Sequence, residues 1–293
     1  MFSKLRLDRA LSIRLVHPIS RLLNRQSRAQ VPILMYHGIS DTLEGKHPYF
    51  ETNTAPRLFA EQMRFLHENG YRTTDLAKAL ETIKAGIQVE RQVVITFDDG
   101  YRNFYTHAFA VLMRYGFSAT VFVVTDITGE QRVCEEGKEY MTWGEMREVQ
   151  AHGIHIGSHT VTHPKLQTMA PAQVKYEIER SKEIIEDKLG VPLQSFSYPY
   201  AFPELDKRVV ALVREALESS GYQNGVSTII GTAGRQHDKF FLPRLPVNSY
   251  DDLRFFRAKL EGGYDWLHTP QRLYKNLRSR NGSVARLAGA SSY

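Results

Sequence analysis

The chain has 293 residues, 42% apolar and 24% charged, which excludes a wholly disordered protein and leaves room for one large domain or two small ones. A single cysteine, Cys134, excludes an intramolecular disulfide and a cysteine-rich zinc site, so any metal must be held by histidines and carboxylates. No apolar run approaches the roughly 20 residues of a transmembrane helix. Charge is uneven. Residues 1–28 hold seven basic side chains against one acid, and the last 23 residues hold five and no acid. These two ends together exceed the net charge of +6, so the body between them is mildly acidic. An acidic body argues against a nucleic-acid-binding domain.

At the N-terminus, Leu11, Leu15, Val16, Ile19, Leu22 and Leu23 recur at spacings near 3 and 4, one face of a helix, which Pro18 is expected to bend or interrupt. Arg6, Asp8, Arg9 and Arg14 break the continuous apolar stretch that a signal peptide requires. The segment reads as a basic amphipathic element on an anionic membrane surface, as a transit peptide, or as a helix packed on the body with a solvated basic side. The expected location is therefore cytoplasmic, or peripheral at the inner membrane surface. The expected division of the chain is a basic segment over 1–30, one domain over 31–262 and a basic tail over 263–293.

The body alternates strands and helices. Val31–Tyr36 predicts a buried strand, and 37–55 a long polar loop of the kind that carries function. Helices are expected over Pro56–Asn69 and Asp75–Lys84. Gln92–Phe97 is a second buried strand, Tyr101–Tyr115 a helix and Ser118–Val124 a third strand. Thr142 and Glu145 have capping-box spacing and open a helix to about His152. Ile154–Gly157 is a short strand and Pro171–Leu189 a long charged helix closed by Gly190. Strands over Gln194–Tyr198, Tyr222–Ser227 and Phe241–Val247 then alternate with helices over Leu205–Ser219 and Asp251–Leu260. The alternation predicts parallel β/α units closed into one barrel-like α/β domain.

Three places carry chemistry. In Thr96-Phe97-Asp98-Asp99-Gly100, two adjacent carboxylates end an apolar strand, the position where barrel active sites form. Adjacent side chains point differently, so one acid can bind a metal while the other accepts a proton; a helix N-cap with a spare acid is the alternative. In Gly157-Ser158-His159-Thr160-Val161-Thr162-His163-Pro164, two histidines four apart can meet at one metal. One aspartate and two histidines form a triad with open positions, as in a catalytic zinc site. Phe196-Ser197-Tyr198-Pro199-Tyr200-Ala201 is a strand running into an aromatic turn suited to a sugar face, or simply a core strand and its turn.

Taken in this order, TFDDG, SHTxxH and SYPY resemble the NodB-type polysaccharide deacetylases, carbohydrate esterase family 4, over roughly residues 31–262. PILMYHGI (from Pro32) and LPRLPV (from Leu242) are similar to the branch that deacetylates poly-N-acetylglucosamine and related exopolysaccharides. The resemblance implies a distorted (β/α) barrel and a divalent metal, usually zinc, on Asp99, His159 and His163, with Asp98 as general base. Its substrate would be an N-acetylated glycan of the bacterial surface, met as polymer or lipid-linked precursor. The turn at Pro199 and Tyr200, through the Tyr200 N–H, would face the oxyanion.

The chain departs from the commonest pattern at two points. Ser197 stands where many members have an arginine that steadies the catalytic aspartate, and Ala201 replaces a glycine; Arg244 is the candidate replacement partner for Asp98. The usual late Leu-x-x-His motif is not evident. His37, in the YHxI segment, is the candidate general acid, with His237 as runner-up. A metal amidase on small amides and a glycan-binding member without catalysis are the rival functions.

Overall fold

The computed structural model describes residues 6–22, 29–45, 47–88, 90–129, 137–200 and 206–274. Seven strands form its centre: β2 (Ile33–Tyr36), β4 (Gln92–Phe97), β5 (Thr120–Val123), β6 (His155–Ser158), β7 (Ser195–Ser197), β8 (Asn224–Ile230) and β10 (Leu242–Pro246). All pair in parallel, in the order β2-β4-β5-β6-β7-β8-β10, and β10 pairs back onto β2 through Leu245–Leu34. The sheet is therefore a closed (β/α) barrel, the architecture expected from the alternating pattern. Three short strands flank it: β3 (Arg72–Thr73) beside the start of β4, and β1 (Gln30–Val31) antiparallel to β9 (Ala233–Gly234). Pro32 separates β1 from β2, because it has no N–H to give a ladder.

Strand β4 shows how the sequence is sorted. Val93, Ile95 and Phe97 pack with the helices in the main core, while Val94 joins Ile33, Phe122, Val226 and Leu242 in a second cluster. Side chains alternate along a strand, so Thr96 and Asp98 follow Val94 toward the barrel interior. Gly157 in β6 is required there: a Cβ would lie 2.4 Å from the Phe122 ring.

The helices are α3 (Pro56–Glu68), α4 (Leu76–Ala85), α5 (Phe109–Arg114), α6 (Trp143–Ala151), α7 (Pro171–Leu189), α8 (Lys207–Ser219) and α9 (Leu253–Leu260). Their ends follow local chemistry. Asp75, Asp206 and Asp252 cap N-termini, Thr142 and Glu145 form the capping box, and Gly86 and Gly190 close α4 and α7 in the left-handed conformation. The expected helix over Tyr101–Tyr115 is narrower: a wide turn over Phe104–Ala108 precedes α5.

Before the barrel, α1 (Leu7–Leu11), a wide turn (Ser12–Val16) and α2 (His17–Leu22) run on without a break. Pro18 does not interrupt this helix. The wide turn just ahead of it absorbs the missing N–H and the ring. Among the described residues, no helix is long and apolar enough to cross a membrane.

Candidate active site

The barrel strands and the loops after them bring six of the sequence candidates together. Asp98 and Asp99 follow β4, His37 follows β2, His159 and His163 follow β6, and Arg244 lies within β10. Sheet register slips between Leu242 and Arg244, at Pro243, where β10 cannot donate to the ladder. Such an irregularity re-aims the next side chain. Arg244 is fully buried and reaches across the interior to Asp98.

That reach ends in a fork. The two terminal nitrogens of Arg244 donate to Asp98 Oδ1 at 2.7 Å and Oδ2 at 2.6 Å. Its Nε donates to the Ser227 carbonyl at 2.9 Å, and the fork also touches Thr96 Oγ1 and Ser197 Oγ. Ser197 Oγ donates to Asp98 Oδ1 at 3.2 Å. Oδ1 thus has two donors and Oδ2 one, which leaves Oδ2 a free lone pair on the side where His37 Nε2 stands 3.9 Å away. Burial alone would raise the Asp98 carboxyl, but the Arg244 charge, aided by His159 and His37, holds it below the ordinary range.

Beside this pair, Asp99 Oδ1 lies 3.4 Å from Nε2 of both His159 and His163. One donor atom from each of the three residues falls within 4.8 Å of the others. His159 Nδ1 is 2.8 Å from the Ser197 carbonyl, which can only accept, so Nδ1 carries a proton and Nε2 is the nitrogen turned to Asp99. Burial would lower this imidazole, but the hydrogen bond to Asp99 and the charges of Asp98 and Asp99 raise it, so Nε2 can hold a proton toward Asp99 that a bound cation would displace. An imidazole held from behind in this way is the arrangement a metal ligand requires. Burial pushes His163 down to about 4, so its ring is neutral and its lone pair available near neutral pH. Asp99 is held well below the carboxylate range, because the His159 hydrogen bond and the neighbouring imidazoles outweigh its burial. Two imidazoles and one carboxylate, without thiolate, fit a borderline divalent ion such as zinc.

The backbone here is strained. Only five non-glycine residues described have positive φ, and four of them are Asp99 (74°), Thr160 (72°), His163 (55°) and Tyr200 (57°). Such angles persist only where surrounding contacts impose them, and they cluster at functional sites.

Two contributors were missed by sequence reasoning. Glu177, buried on α7, accepts from Val161 N–H at 2.8 Å, Thr162 N–H at 2.9 Å and Thr162 Oγ1 at 2.7 Å. It clamps the loop that carries both histidines. In sequence it is one acid among many on a charged helix, with no signal of burial. Tyr101 lies beside Asp99, and burial next to that negative charge raises its hydroxyl far above the ordinary tyrosine value. Lys138 in turn donates to Tyr101 at 3.3 Å and to Glu44 at 2.8 Å.

Tyr200 sits at the rim, its ring 4.6 Å from His163, and Pro199 precedes it in the turn after β7. His237 is not brought to the site. It follows β9, accepts from Gly234 N–H at 3.1 Å and faces His268 at 5.3 Å. The adjoining Lys239 carbonyl binds Gly225 at the start of β8, so this segment belongs to the opposite end of the barrel. Cys134 and Ala201 lie outside the described residues.

A barrel with an Asp-Asp pair at one strand end and a His-x-x-x-His loop at the next but one defines a class, and comparison with known proteins identifies it. Residues 85–224 match the polysaccharide deacetylase family. YxkH of Bacillus subtilis (strain 168), named as a polysaccharide deacetylase, is 34% identical over 230 residues, covering 78% of this chain and 75% of its own length. The chain belongs to the polysaccharide deacetylase family. The poly-beta-1,6-N-acetyl-D-glucosamine N-deacetylase of Escherichia coli (strain K12) is 34% identical over 110 residues, 34% of this chain and only 16% of that longer protein. Among solved structures, the deacetylase PplD of Streptococcus pyogenes, in complex with acetate, superposes with a TM-score of 0.68 at 23% identity, over 79% of this chain and 98% of that one.

Proposed function

We propose that this chain hydrolyses N-acetyl groups on an N-acetylated polysaccharide or lipid-linked glycan, releasing acetate and leaving a free amine. The reading extends to bacterial surface or exopolysaccharide synthesis, in the cytoplasm or at the inner membrane surface. The observation that carries it is the Arg244–Asp98 fork standing directly beside Asp99, His159 and His163. One carboxylate is saturated by an arginine except for a single lone pair; the other is aimed at two imidazole nitrogens. This division separates the proton acceptor from the metal ligand.

Asp99, His159 and His163 would hold a divalent metal, zinc being the first choice. Such an ion supplies Lewis acidity toward an amide carbonyl and toward water. Asp98, ionised at neutral pH, takes the proton of the attacking water at Oδ2. His37, across from the same oxygen, hands a proton to the departing sugar amine. The Tyr200 N–H, in the turn fixed by Pro199, donates to the oxyanion. Arg244 positions Asp98 and keeps it from wandering toward the metal ligands. His237, at the other end of the barrel, takes no part.

The test is acetate release from N-acetylglucosamine oligomers by the purified chain, after chelation and again with zinc restored. Release that vanishes and returns supports the reading. Zinc bound at one equivalent with no release from any oligomer would turn attention to short amides or to glycan binding.

A further inference from the structure

The N-terminal helix is docked with its polar side inward. Ser12, Ile13 and Ser20 are its buried residues. Trp266 Nε1 donates to Ser12 Oγ at 2.9 Å, Tyr264 Oη donates to Asp8 at 2.6 Å, His17 Nε2 pairs with Glu261 at 2.7 Å, and Arg9 pairs with Asp252. The side that a core-forming helix would bury is turned out. Leu7 (68% exposed), Leu11 (38%), Leu15 (52%), Ile19 (44%) and Leu22 (85%) follow one another every three or four residues, in one stripe. They are five of the thirteen large apolar side chains exposed among the described residues. Single exposed leucines need no explanation, but a continuous ridge of them does.

The charges on this ridge have one sign. Arg14 and Arg21 are exposed along it, Arg21 with the largely buried Glu261 carboxylate 3.8 Å behind it, and the helix's one acid, Asp8, is turned in toward Arg6 and Tyr264. A twofold contact between copies would gather the Arg14 and Arg21 charges of both at one seam, to which the helix itself brings no acid but the inward Asp8. The C-terminal tail, with five basic residues and no acid in its last 23, has no charge reason to cover it. An anionic lipid surface satisfies both features: leucines enter the acyl boundary while arginine heads stay among the phosphates.

We propose that the outer face of Leu7–Leu22 lies flat on an anionic bilayer and docks the barrel there. Arg6 donates to the Pro48 carbonyl, in the loop that follows β2 and His37, so the helix begins beside the rim of the candidate site. Docking stands independently of the catalytic reading; only its use in reaching a lipid-linked glycan rests on that reading.

The experiment is flotation of the full chain with vesicles of phosphatidylcholine, with and without phosphatidylglycerol. The wild type is expected to float with the anionic vesicles and not with the neutral ones. Leu11→Gln with Leu15→Gln should abolish flotation. Arg14→Ala with Arg21→Ala should weaken it by about thirtyfold, two basic side chains' worth near an anionic surface. Acetate release from a soluble oligomer checks that the variants stay folded and is expected to be unchanged. Three results would overturn the proposal: no flotation of the wild type, flotation that survives both leucine changes, or a wild-type dimer in light scattering that Leu15→Gln splits without any lipid binding. If release is absent in wild type and variants alike, circular dichroism replaces it as the fold check, and flotation still decides.

Discussion

The Arg244 guanidinium and the Asp98 carboxylate meet as two parallel hydrogen bonds of 2.7 and 2.6 Å, with neither side chain more than 1% exposed. The pair joins β10 to β4 across the barrel interior. Removing one member of a buried pair leaves the other charge uncompensated, so Arg244→Ala should cost about 3–5 kcal/mol in urea denaturation. Arg244→Lys keeps the charge but loses the fork, and should also lose most acetate release. A lysine variant with wild-type stability and turnover would remove the fork from the mechanism. Asp98→Asn should abolish release while one equivalent of zinc still binds, because the proposed metal set is Asp99, His159 and His163 without Asp98.

Glu177 tests whether the histidine loop must be held. Its carboxylate receives three hydrogen bonds from Val161 and Thr162, between the two histidines. Glu177→Gln replaces one acceptor oxygen with a donor. Zinc affinity, measured by competition with a chromophoric chelator, should fall by about 10- to 100-fold, the usual effect of disturbing residues behind a metal ligand. Unchanged zinc affinity in a folded variant would make Glu177 a packing residue only.

How much of this was legible follows from where the signals are local. Gln92–Phe97 and Pro171–Leu189 have the predicted bounds, because an apolar run in one case and a proline start with a glycine stop in the other are written in adjacent residues. Strand β8 runs three residues past the expected Ser227, and β3 and β9 are two-residue strands with no period to read. Their pairing is set by neighbours distant in sequence. Asp98 and Asp99 were visible because they follow directly on an apolar strand, and His159 and His163 because they stand four apart just after another. The resemblance of its LPR segment names Arg244 as the partner of Asp98; how it reaches that carboxylate depends on the slip in register at Pro243, which no local pattern announces. Glu177 and the inward polar face of the N-terminal helix depend on docking partners, and sequence period alone cannot say which side of a helix is covered.

The docking of that helix has a defined pH dependence. Asp8 and Glu261 both sit below their ordinary carboxyl values. Burial would raise each, and it is outweighed by Arg6 and Tyr264 at Asp8 and by Arg257 and His17 at Glu261. A carboxyl whose folded pKa is depressed stabilises above its unfolded value, about 3.9 for Asp and 4.3 for Glu, and the contribution is lost as pH falls through the folded value. Docking should therefore be flat from neutral pH down to about pH 4 and weaken below it. Trp266, bonded to Ser12, reports this by fluorescence in a Trp143→Phe background. A transition centred near pH 6.5, the range of an ordinary histidine, would mean that these carboxylates do not hold the helix.

Thr160 offers a test of the strain itself. Its φ of 72° is unfavourable for a β-branched residue, and its Oγ1 accepts from the His163 N–H at 3.1 Å. Thr160→Ala removes that acceptor and keeps the angle, so stability should fall by about 1–2 kcal/mol. Thr160→Gly removes the same acceptor but adopts the angle freely. In ordinary elements glycine is about 0.5–1 kcal/mol worse than alanine; here it should be better by about 1 kcal/mol, since the left-handed conformation penalises alanine by that amount or more. Both variants should bind zinc more weakly than the wild type, because the hydroxyl that sets His163 is gone. Glycine less stable than alanine in thermal denaturation would show that the loop does not impose the angle, and the constraint on His163 would then have to come from Glu177 alone.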